Sequence, residues 1–169
     1  MDLVAQVDTA ARAIPLELDL GLPPKIVARR PRRRGAASEA LHLVADFHFA
    51  FNLPIQTRPQ YSADLTVGSL RVELLREELE EFKDAVERED LVAIADALAD
   101  IVYVAYGSAI TYGIDLDAVL REVHRANMSK LNSNGQPIMR EDGKVLKPPT
   151  YSPPDVQRVL LDQPPLFLD

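Results

Sequence analysis

The 169-residue sequence contains no cysteine and only 7 glycines. Without cysteine the chain has no disulfides, no thiol nucleophile and no zinc site built on thiolates. The glycines form no phosphate-binding loop, and neither a G-x-S-x-G nor an H-E-x-x-H pattern is present. These absences exclude several common catalytic designs and direct attention to the carboxylates.

The chain carries a net charge of −7 at neutral pH, and 47% of its residues are hydrophobic. This composition supports a packed core and argues against general nucleic-acid binding by the whole chain. The N-terminal residues lack a basic segment followed by a continuous apolar run, so no secretory signal is predicted. We expect a cytoplasmic protein, a location with which the lack of cysteine is compatible.

Two regions of different composition divide the chain. Residues 1–38 contain GLPPK and the run RRPRRRG, and they predict a flexible Arg-rich N-terminal extension. A nucleic-acid-binding or partner-binding arm is the alternative interpretation of this basic run. Residues 39–169 are predicted to form the folded domain.

The folded region has the spacing and caps of an all-α protein. The predicted helices are Glu39–Phe51 after Ser38, Val67–Arg88, Leu91–Tyr112 between Asp90 and Gly113, 116–131 after Asp115, and a short one from Asp155 to Leu161. The short connections predict an antiparallel helical bundle. A small β-hairpin with a type I′ turn is predicted at Asp142-Gly143, followed by an irregular tail.

Apolar residues at helical spacing predict which faces are buried. The predicted face is Leu43, Phe47 and Phe51 on the first helix, and Val72, Leu75, Leu79, Phe82 and Val86 on the second. The third helix is apolar nearly all round and long enough to cross a membrane. Asp96 and Asp100 near its centre would each cost about 2.5–3.5 kcal/mol in lipid, so a buried bundle helix is predicted instead.

Acidic residues on the second and third helices are placed to converge. Glu78 and Glu81 share a face, as do Asp96 and Asp100, and the short link folds one helix back on the other. Four carboxylates repel unless a cation compensates, and hard oxygen ligands suit Mg²⁺ or Mn²⁺. Such an ion takes phosphate oxygens as further ligands, which predicts a di- or triphosphate substrate. An ordinary solvated face is the alternative for the glutamates.

A second polar cluster follows on the fourth helix. Asn127 and Lys130 lie three residues apart on one face and can contact phosphate or base. Arg125 and Tyr103 are further candidates, each with a structural alternative. The three histidines show no metal-ligand spacing.

These residues carry a resemblance. The chain resembles the MazG-like all-α nucleoside triphosphate pyrophosphohydrolases in two segments, EELEEF and IADALADIVYVAYGSAITYGIDLDAVLREVHRANMSKL. This superfamily includes phosphoribosyl-ATP pyrophosphohydrolases and dimeric dUTPases. GQPIMREDGKVLKPPTYSPPDV is similar to the C-terminal segment of one branch. The resemblance covers roughly residues 39–157.

The family pattern is E-E-x-x-E followed by E-x-x-D. Glu77, Glu78 and Glu81 match its first part and Asp100 its last position, while Ala97 stands where the family has a glutamate. The metal ligands assigned on this basis are Glu78, Glu81 and Asp100, assisted by Asp96. Glu77 is a candidate base for the attacking water.

The resemblance implies hydrolysis of a nucleoside triphosphate between its α- and β-phosphates, with dUTP as first choice and dCTP or modified nucleotides next. It also implies a bundle completed by homodimerisation or by a dimer of dimers. Asn127 and Lys130 match the family's substrate-side residues, and the other candidates for substrate binding are Arg125, Tyr103, Phe47, Phe51 and Lys147. The alternatives are phosphoribosyl-ATP hydrolysis in histidine biosynthesis and a non-catalytic regulatory dimer.

Overall fold

A computed structural model describes residues 37–61 and 65–167 of the chain. The Arg-rich run and the rest of residues 1–36 lie outside the described residues. The described part contains five α-helices and no β-strand, which confirms the all-α prediction. The helices are α1 (Glu39–Ala50), α2 (Leu65–Glu87), α3 (Leu91–Tyr112), α4 (Leu116–Met128) and α5 (Val156–Asp162).

Polar caps set the helix ends. Four side chains accept backbone N–H groups that the first turn leaves unsatisfied: Ser38, Asp90, Asp115 and Asp155. All four caps were predicted from the sequence. Gly113 ends α3 in the left-handed conformation, with a φ of 71°, as a glycine after a helix commonly does.

α2 and α3 form an antiparallel hairpin, which is the most extensive helix pair in the described residues. Glu89 in the link has a φ of 54°, so the chain reverses within three residues. The two helices approach closely where the side chains are small. A Cβ placed on Gly68 of α2 would lie 3.1 Å from Oη of Tyr112, near the open end of the hairpin.

The apolar core lies between α1, the second half of α3 and the C-terminal tail. Its buried members are Leu41, Val44, Ala45, Tyr106, Ile110, Leu166 and Phe167. The predicted face of α1 was wrong, since Leu43 and Phe51 are each 55% exposed. The buried face instead follows positions 41, 44, 45 and 48, and the histidine at 48 concealed its periodicity.

The apolar face predicted for α2 was only partly right for the single chain, since Leu75 and Phe82 are half-buried. Val72, Leu79 and Val86 are exposed, whereas Val67, Arg71 and Ala85 are buried. These exposed side chains repeat every seven residues, so they form one continuous apolar stripe along α2. Small residues and an arginine occupy the α2–α3 contact instead of the larger aliphatic residues.

α3 is not buried all round, contrary to prediction. Leu91 and Val92 are 76% and 81% exposed, and 17% of the most apolar window of the helix is buried. Among the described residues, α3 is the one helix long and apolar enough to cross a membrane by length and composition. Its contacts with α1 and α2 make it the central helix of the bundle.

The predicted C-terminal hairpin is not formed as a pair of strands. Two isolated antiparallel bridges join Leu131 to Pro137 and Met139 to Val145. Gly143 has a positive φ but Asp142 does not, so the type I′ turn was wrong. The segment 133–147 is exposed and has no apolar face to pack against, which leaves two short strands unsupported.

Two irregular segments pack on the C-terminal end of α3. In the loop 52–61, the N–H groups of Gln56 and Gln60 donate to the carbonyls of Ile110 and Tyr112, each at 3.0 Å. In the tail, the buried Gln163 donates to Gly113 O at 2.8 Å. These contacts satisfy carbonyls that a helix end otherwise leaves unpaired.

Candidate active site

The α2–α3 hairpin brings the predicted carboxylates together at mid-length. Burial raises the pKa of Glu78, and the neighbouring charges of Asp100, Glu81, Glu77 and Asp96 raise it further. None of the causes that shift this pKa is a cation. Four acidic groups on two helices therefore act on one glutamate, as the spacing predicted.

Asp100 lies in the same environment on α3. Its pKa is raised first by burial and then by the charge of Asp96, one helical turn away. Asp100 and Glu78 are half-buried, whereas Asp96 lies on the exposed side. The expectation that both aspartates are fully buried was therefore wrong, because α3 packs on its neighbours along only part of its circumference.

We call Glu77, Glu78, Glu81, Asp96 and Asp100 the acidic region. A hollow of about 180 Å³ opens at its end nearest the link between α2 and α3. It is lined by Glu81, Asp84, Arg88, Ala93, Asp96 and Ala97. Ala97 is 4% exposed and lies in the helix contact, so a larger side chain there would have to displace α2. Glu81 and Asp96, two predicted metal ligands, line this hollow from opposite helices.

Sequence reasoning missed Asp84 and Arg88. Asp84 lies three residues after Glu81, the spacing that places two side chains on one helix face, so this signal was available. Arg88 follows Asp84 by four residues and lines the same hollow. Its position beside the link followed from the predicted end of the helix at Arg88, but its place in this hollow was not predicted.

The donor set has the chemistry that Mg²⁺ or Mn²⁺ requires. All the candidates are carboxylates, and no cation among the described residues contributes to the raised pKa of Glu78. Within residues 37–61 and 65–167, however, no three acidic or histidine side chains converge closely enough to enclose an ion. The residues fit a divalent metal by type and charge, and binding would require their side chains to close inward.

Three aromatic rings lie beside the acidic region. The ring centroids of Phe47 on α1 and Phe51, the residue that caps its C-terminal end, are 4.3 Å apart, and Phe47 meets Tyr103 of α3 edge-on at 5.6 Å. We call Phe47, Phe51 and Tyr103 the aromatic wall. Because Tyr103 follows Asp100 by three residues, the wall and the carboxylates share one face of α3. Phe51 and Tyr103 remain partly exposed, so a planar ligand can reach them.

The predicted polar pair on α4 is formed. Lys130 Nζ donates to Asn127 Oδ1 at 2.8 Å, which confirms that the two side chains share a face. Among the described residues, no hydrogen bond or ion pair joins this pair to the carboxylates of α2 and α3. Lys147 lies farther along the chain, with Nζ 4.6 Å above the ring of Tyr151.

Arg125 holds the segment before α5. Its guanidinium pairs with Glu122 at 2.8 Å and donates to Pro153 O at 2.9 Å. Glu122 also accepts the N–H of Asp155 at 2.8 Å. Hydrogen bonds from Arg125 and then from the Asp155 backbone lower the pKa of Glu122 to about 2. Arg125 is thus engaged within the chain on the side next to Asn127 and Lys130.

Comparison with known proteins identifies the domain. Residues 44–127 match the family model described as phosphoribosyl-ATP pyrophosphohydrolase. An uncharacterized protein of Acanthamoeba polyphaga mimivirus is 32% identical over 107 residues. That match covers 62% of this chain, which spans 40% of the length of the viral protein. Residues 44–127, which contain every carboxylate of the acidic region, thus match the phosphoribosyl-ATP pyrophosphohydrolase family, in agreement with the resemblance to the MazG-like all-α nucleoside triphosphate pyrophosphatase superfamily.

Proposed function

We propose that the chain is a Mg²⁺- or Mn²⁺-dependent nucleotide pyrophosphohydrolase that cleaves between the α- and β-phosphates. One observation carries the proposal: burial and then the charges of four carboxylates on two helices raise the pKa of Glu78, and no cation among the described residues opposes this shift. In a purely structural face, such repulsion would be relieved by a basic partner. Membership of a pyrophosphohydrolase family supports the same reaction type.

In this proposal Glu78, Glu81 and Asp100 hold the metal, and Asp96 assists from the rim of the hollow. The bound ion would polarise a phosphoryl group and favour deprotonation of the attacking water. Glu77, the exposed neighbour of Glu78, takes the proton from that water. Water adds to phosphorus while the α–β bridging bond breaks, and the products are a nucleoside monophosphate and pyrophosphate.

Substrate binding is assigned to the remaining surfaces. Asn127 and Lys130 contact phosphate or sugar, with Lys130 acting as a point charge. The aromatic wall stacks against the base, because Phe51 and Tyr103 are accessible next to the carboxylates. Lys147 in the C-terminal segment and Arg125 on α4, which binds Pro153 of that segment, would border the nucleotide. We propose dUTP as substrate, with dCTP or modified nucleotides next.

The partner in this proposal is a second copy of the chain. Val72, Leu79 and Val86 form an exposed seven-residue repeat on α2, and Leu98 and Val102 extend the apolar surface onto α3. A heptad stripe of this kind packs against another helix. A dimer, or a dimer of dimers, would cover it. Sedimentation of Leu79→Asp should show a smaller species than the wild-type protein.

The family description favours a second candidate substrate, phosphoribosyl-ATP. It presents the same α–β anhydride, so the same carboxylates would serve. A non-catalytic regulatory dimer remains the alternative from another class, and it requires the acidic surface to bind a basic partner instead of a metal.

A nucleotide panel separates these candidates. Purified protein is incubated with dUTP, dCTP, the other deoxynucleotides and phosphoribosyl-ATP, with Mg²⁺ or Mn²⁺, and pyrophosphate is measured as phosphate after pyrophosphatase is added. Glu81→Ala should abolish turnover, while Glu87→Ala, an exposed carboxylate on the same helix, should not. No turnover of any substrate would overturn the proposal. Full activity in a folded Glu81→Ala protein would overturn the site assignment.

A further inference from the structure

Three helices meet at one buried glycine. Gly107 of α3 is buried, and a Cβ placed on it would lie 2.9 Å from Nε2 of His48 on α1 and 3.5 Å from Nη1 of Arg71 on α2. The imidazole and the guanidinium are thus packed over the bare Cα. We call His48, Arg71 and Gly107 the Gly107 junction. His48 is 2% exposed and Arg71 is 9% exposed, so both polar side chains lie in the interior.

Packing alone does not account for an arginine at position 71. Its Nε is buried and has no hydrogen-bond partner among the described residues. Burial also lowers the pKa of Arg71, although the nearby Tyr112 opposes this effect. A methionine of similar length would leave no buried donor unsatisfied, but it lacks the planar guanidinium that packs over Gly107 beside His48. The guanidinium therefore has a role that an apolar side chain would not perform.

Within the Gly107 junction, the His48 ring of α1 is held at two of its edges. His48 Nδ1 lies 2.8 Å from the carbonyl oxygen of Pro54, and this oxygen only accepts, so Nδ1 carries the hydrogen. The ring is therefore attached to the loop after α1 at one end and packed on Gly107 at the other. Phe47 precedes His48 in sequence, and its ring contacts both Phe51 and Tyr103. Any shift of His48 must move the aromatic wall.

The Gly107 junction lies on the same faces of α2 and α3 as the acidic region. Arg71 and Glu78 are seven residues apart on α2, which places them on one face about two turns, or ~10 Å, apart. Asp100, Tyr103 and Gly107 follow one another on one face of α3 at spacings of three and four. The carboxylates, the aromatic wall and the junction therefore lie in order along the α2–α3 groove.

We propose that Arg71 is a positioning residue for base recognition, which holds α1 and its aromatic wall at a set distance from the carboxylates through the Gly107 junction. This inference rests on the proposed function, because it assigns the base to the aromatic wall. It goes beyond that function in locating part of the base selectivity in residues that touch neither metal nor nucleotide.

The test compares Arg71→Met, Arg71→Lys and Gly107→Ala with Arg76→Met, an exposed arginine on the same helix. Binding of the non-hydrolysable α,β-imido analogues of dUTP and dATP is measured by calorimetry, and Mn²⁺ binding is measured without nucleotide. Arg71→Met and Gly107→Ala should weaken binding of the preferred analogue about tenfold and reduce the preference between the two, as misplacement of a contact does. Arg71→Lys should lie between wild type and Arg71→Met, and Arg76→Met should match wild type.

Mn²⁺ affinity should be unchanged in all four variants, since none alters a carboxylate. Wild-type affinities and preference in a folded Arg71→Met protein would overturn the inference, as would equal affinity of the wild-type protein for the two analogues. If Arg71→Met bound both analogues equally more weakly and also bound Mn²⁺ more weakly, Arg71 would have a structural role instead. If Arg71→Met does not fold, Arg71→Lys and Gly107→Ala decide by the same criteria. Binding without turnover in the wild-type protein would refute the proposed reaction and leave this test intact.

Discussion

The hydroxyl of Tyr106 on α3 donates a hydrogen bond to Oδ1 of Asp117 on α4 at 2.7 Å. Oδ2 of the same carboxylate accepts the backbone N–H of Ser38 at 2.7 Å, at the start of α1. Tyr106 and Asp117 are both buried, so one carboxylate joins three helices inside the core. Asp117 is in the first turn of α4, where a negative charge also stabilises the helix dipole.

Asp117→Asn should destabilise the domain by about 1–3 kcal/mol at pH 7, because a charge-assisted acceptor is lost in a buried network. Burial alone would raise the pKa of Asp117, but the hydrogen bonds from Ser38 and Tyr106 outweigh it and lower this pKa. The stabilisation is therefore present above about pH 4 and is lost as the pH falls through the lowered pKa. Urea unfolding at pH 7 and pH 3 measures the unfolding free energy that Asp117→Asn removes, with Glu87→Gln as the control. A destabilisation that does not shrink in acid would contradict this account.

Glu78→Gln should make the protein without added metal more stable and less active. The pKa of Glu78 is raised, so its charged form is less favourable in the folded than in the unfolded state, and stability falls as the pH rises through the raised pKa. With EDTA at pH 8 the variant should melt about 1–3 °C higher than wild type, and at pH 4 the difference should disappear. Turnover with Mn²⁺ should fall at least about 100-fold. Lower stability of Glu78→Gln at pH 8 would contradict the view that burial and repulsion of the Glu78 charge destabilise the folded protein.

The helices could be predicted from the sequence because their signals are local. Asp90 and Gly113 bound α3 as predicted, since a cap and a left-handed glycine act within one turn. The buried faces were harder to predict. Periodicity identifies an apolar stripe, but Val72 and Leu79 show that such a stripe can point outward when small residues form the contact within the chain. Whether another chain covers that stripe depends on assembly, which one sequence does not encode locally.

The acidic site was predictable in part. The spacing of Glu78 and Asp100 and the short link between their helices were enough to bring the two carboxylates together. Asp84 and the Gly107 junction were not predicted, because their neighbours are distant in sequence. A buried arginine beside a glycine carries no periodic signal, and its role emerges from three helices at once.

Gly113→Ala should destabilise the domain more than Gly135→Ala. Both glycines have a φ near 70°, so both variants carry the strain of a left-handed alanine, about 1–2 kcal/mol. At Gly113 the added Cβ would also overlap Arg58 O, whereas at Gly135 no described residue other than its chain neighbours has an atom within 4 Å of an added Cβ. The overlap should add about 1–3 kcal/mol. Urea unfolding gives the free energy of unfolding that each variant loses. Equal losses for the two variants would show that the loop at Arg58 moves away freely.

Leu166→Ala should destabilise the domain by about 2–5 kcal/mol, because Leu166 is 1% exposed and completes the core against α1. Its backbone N–H also donates to Thr57 O at 2.8 Å, so the tail is held in place as the cavity forms. Leu161→Ala, which truncates a side chain that is 76% exposed, is the matched control. Similar unfolding midpoints for the two variants would show that the tail contributes little to the core.

The loop 52–61 has no regular secondary structure, yet two of its amides bond to the final carbonyls of α3 and its backbone fits against Gly113 without space for a methyl group. We therefore expect the amides of Gln56 and Gln60 to exchange their hydrogens with water only when the end of the central helix opens. The loop and the helix terminus should then open as one cooperative unit, and slowly exchanging amides should extend beyond the helices.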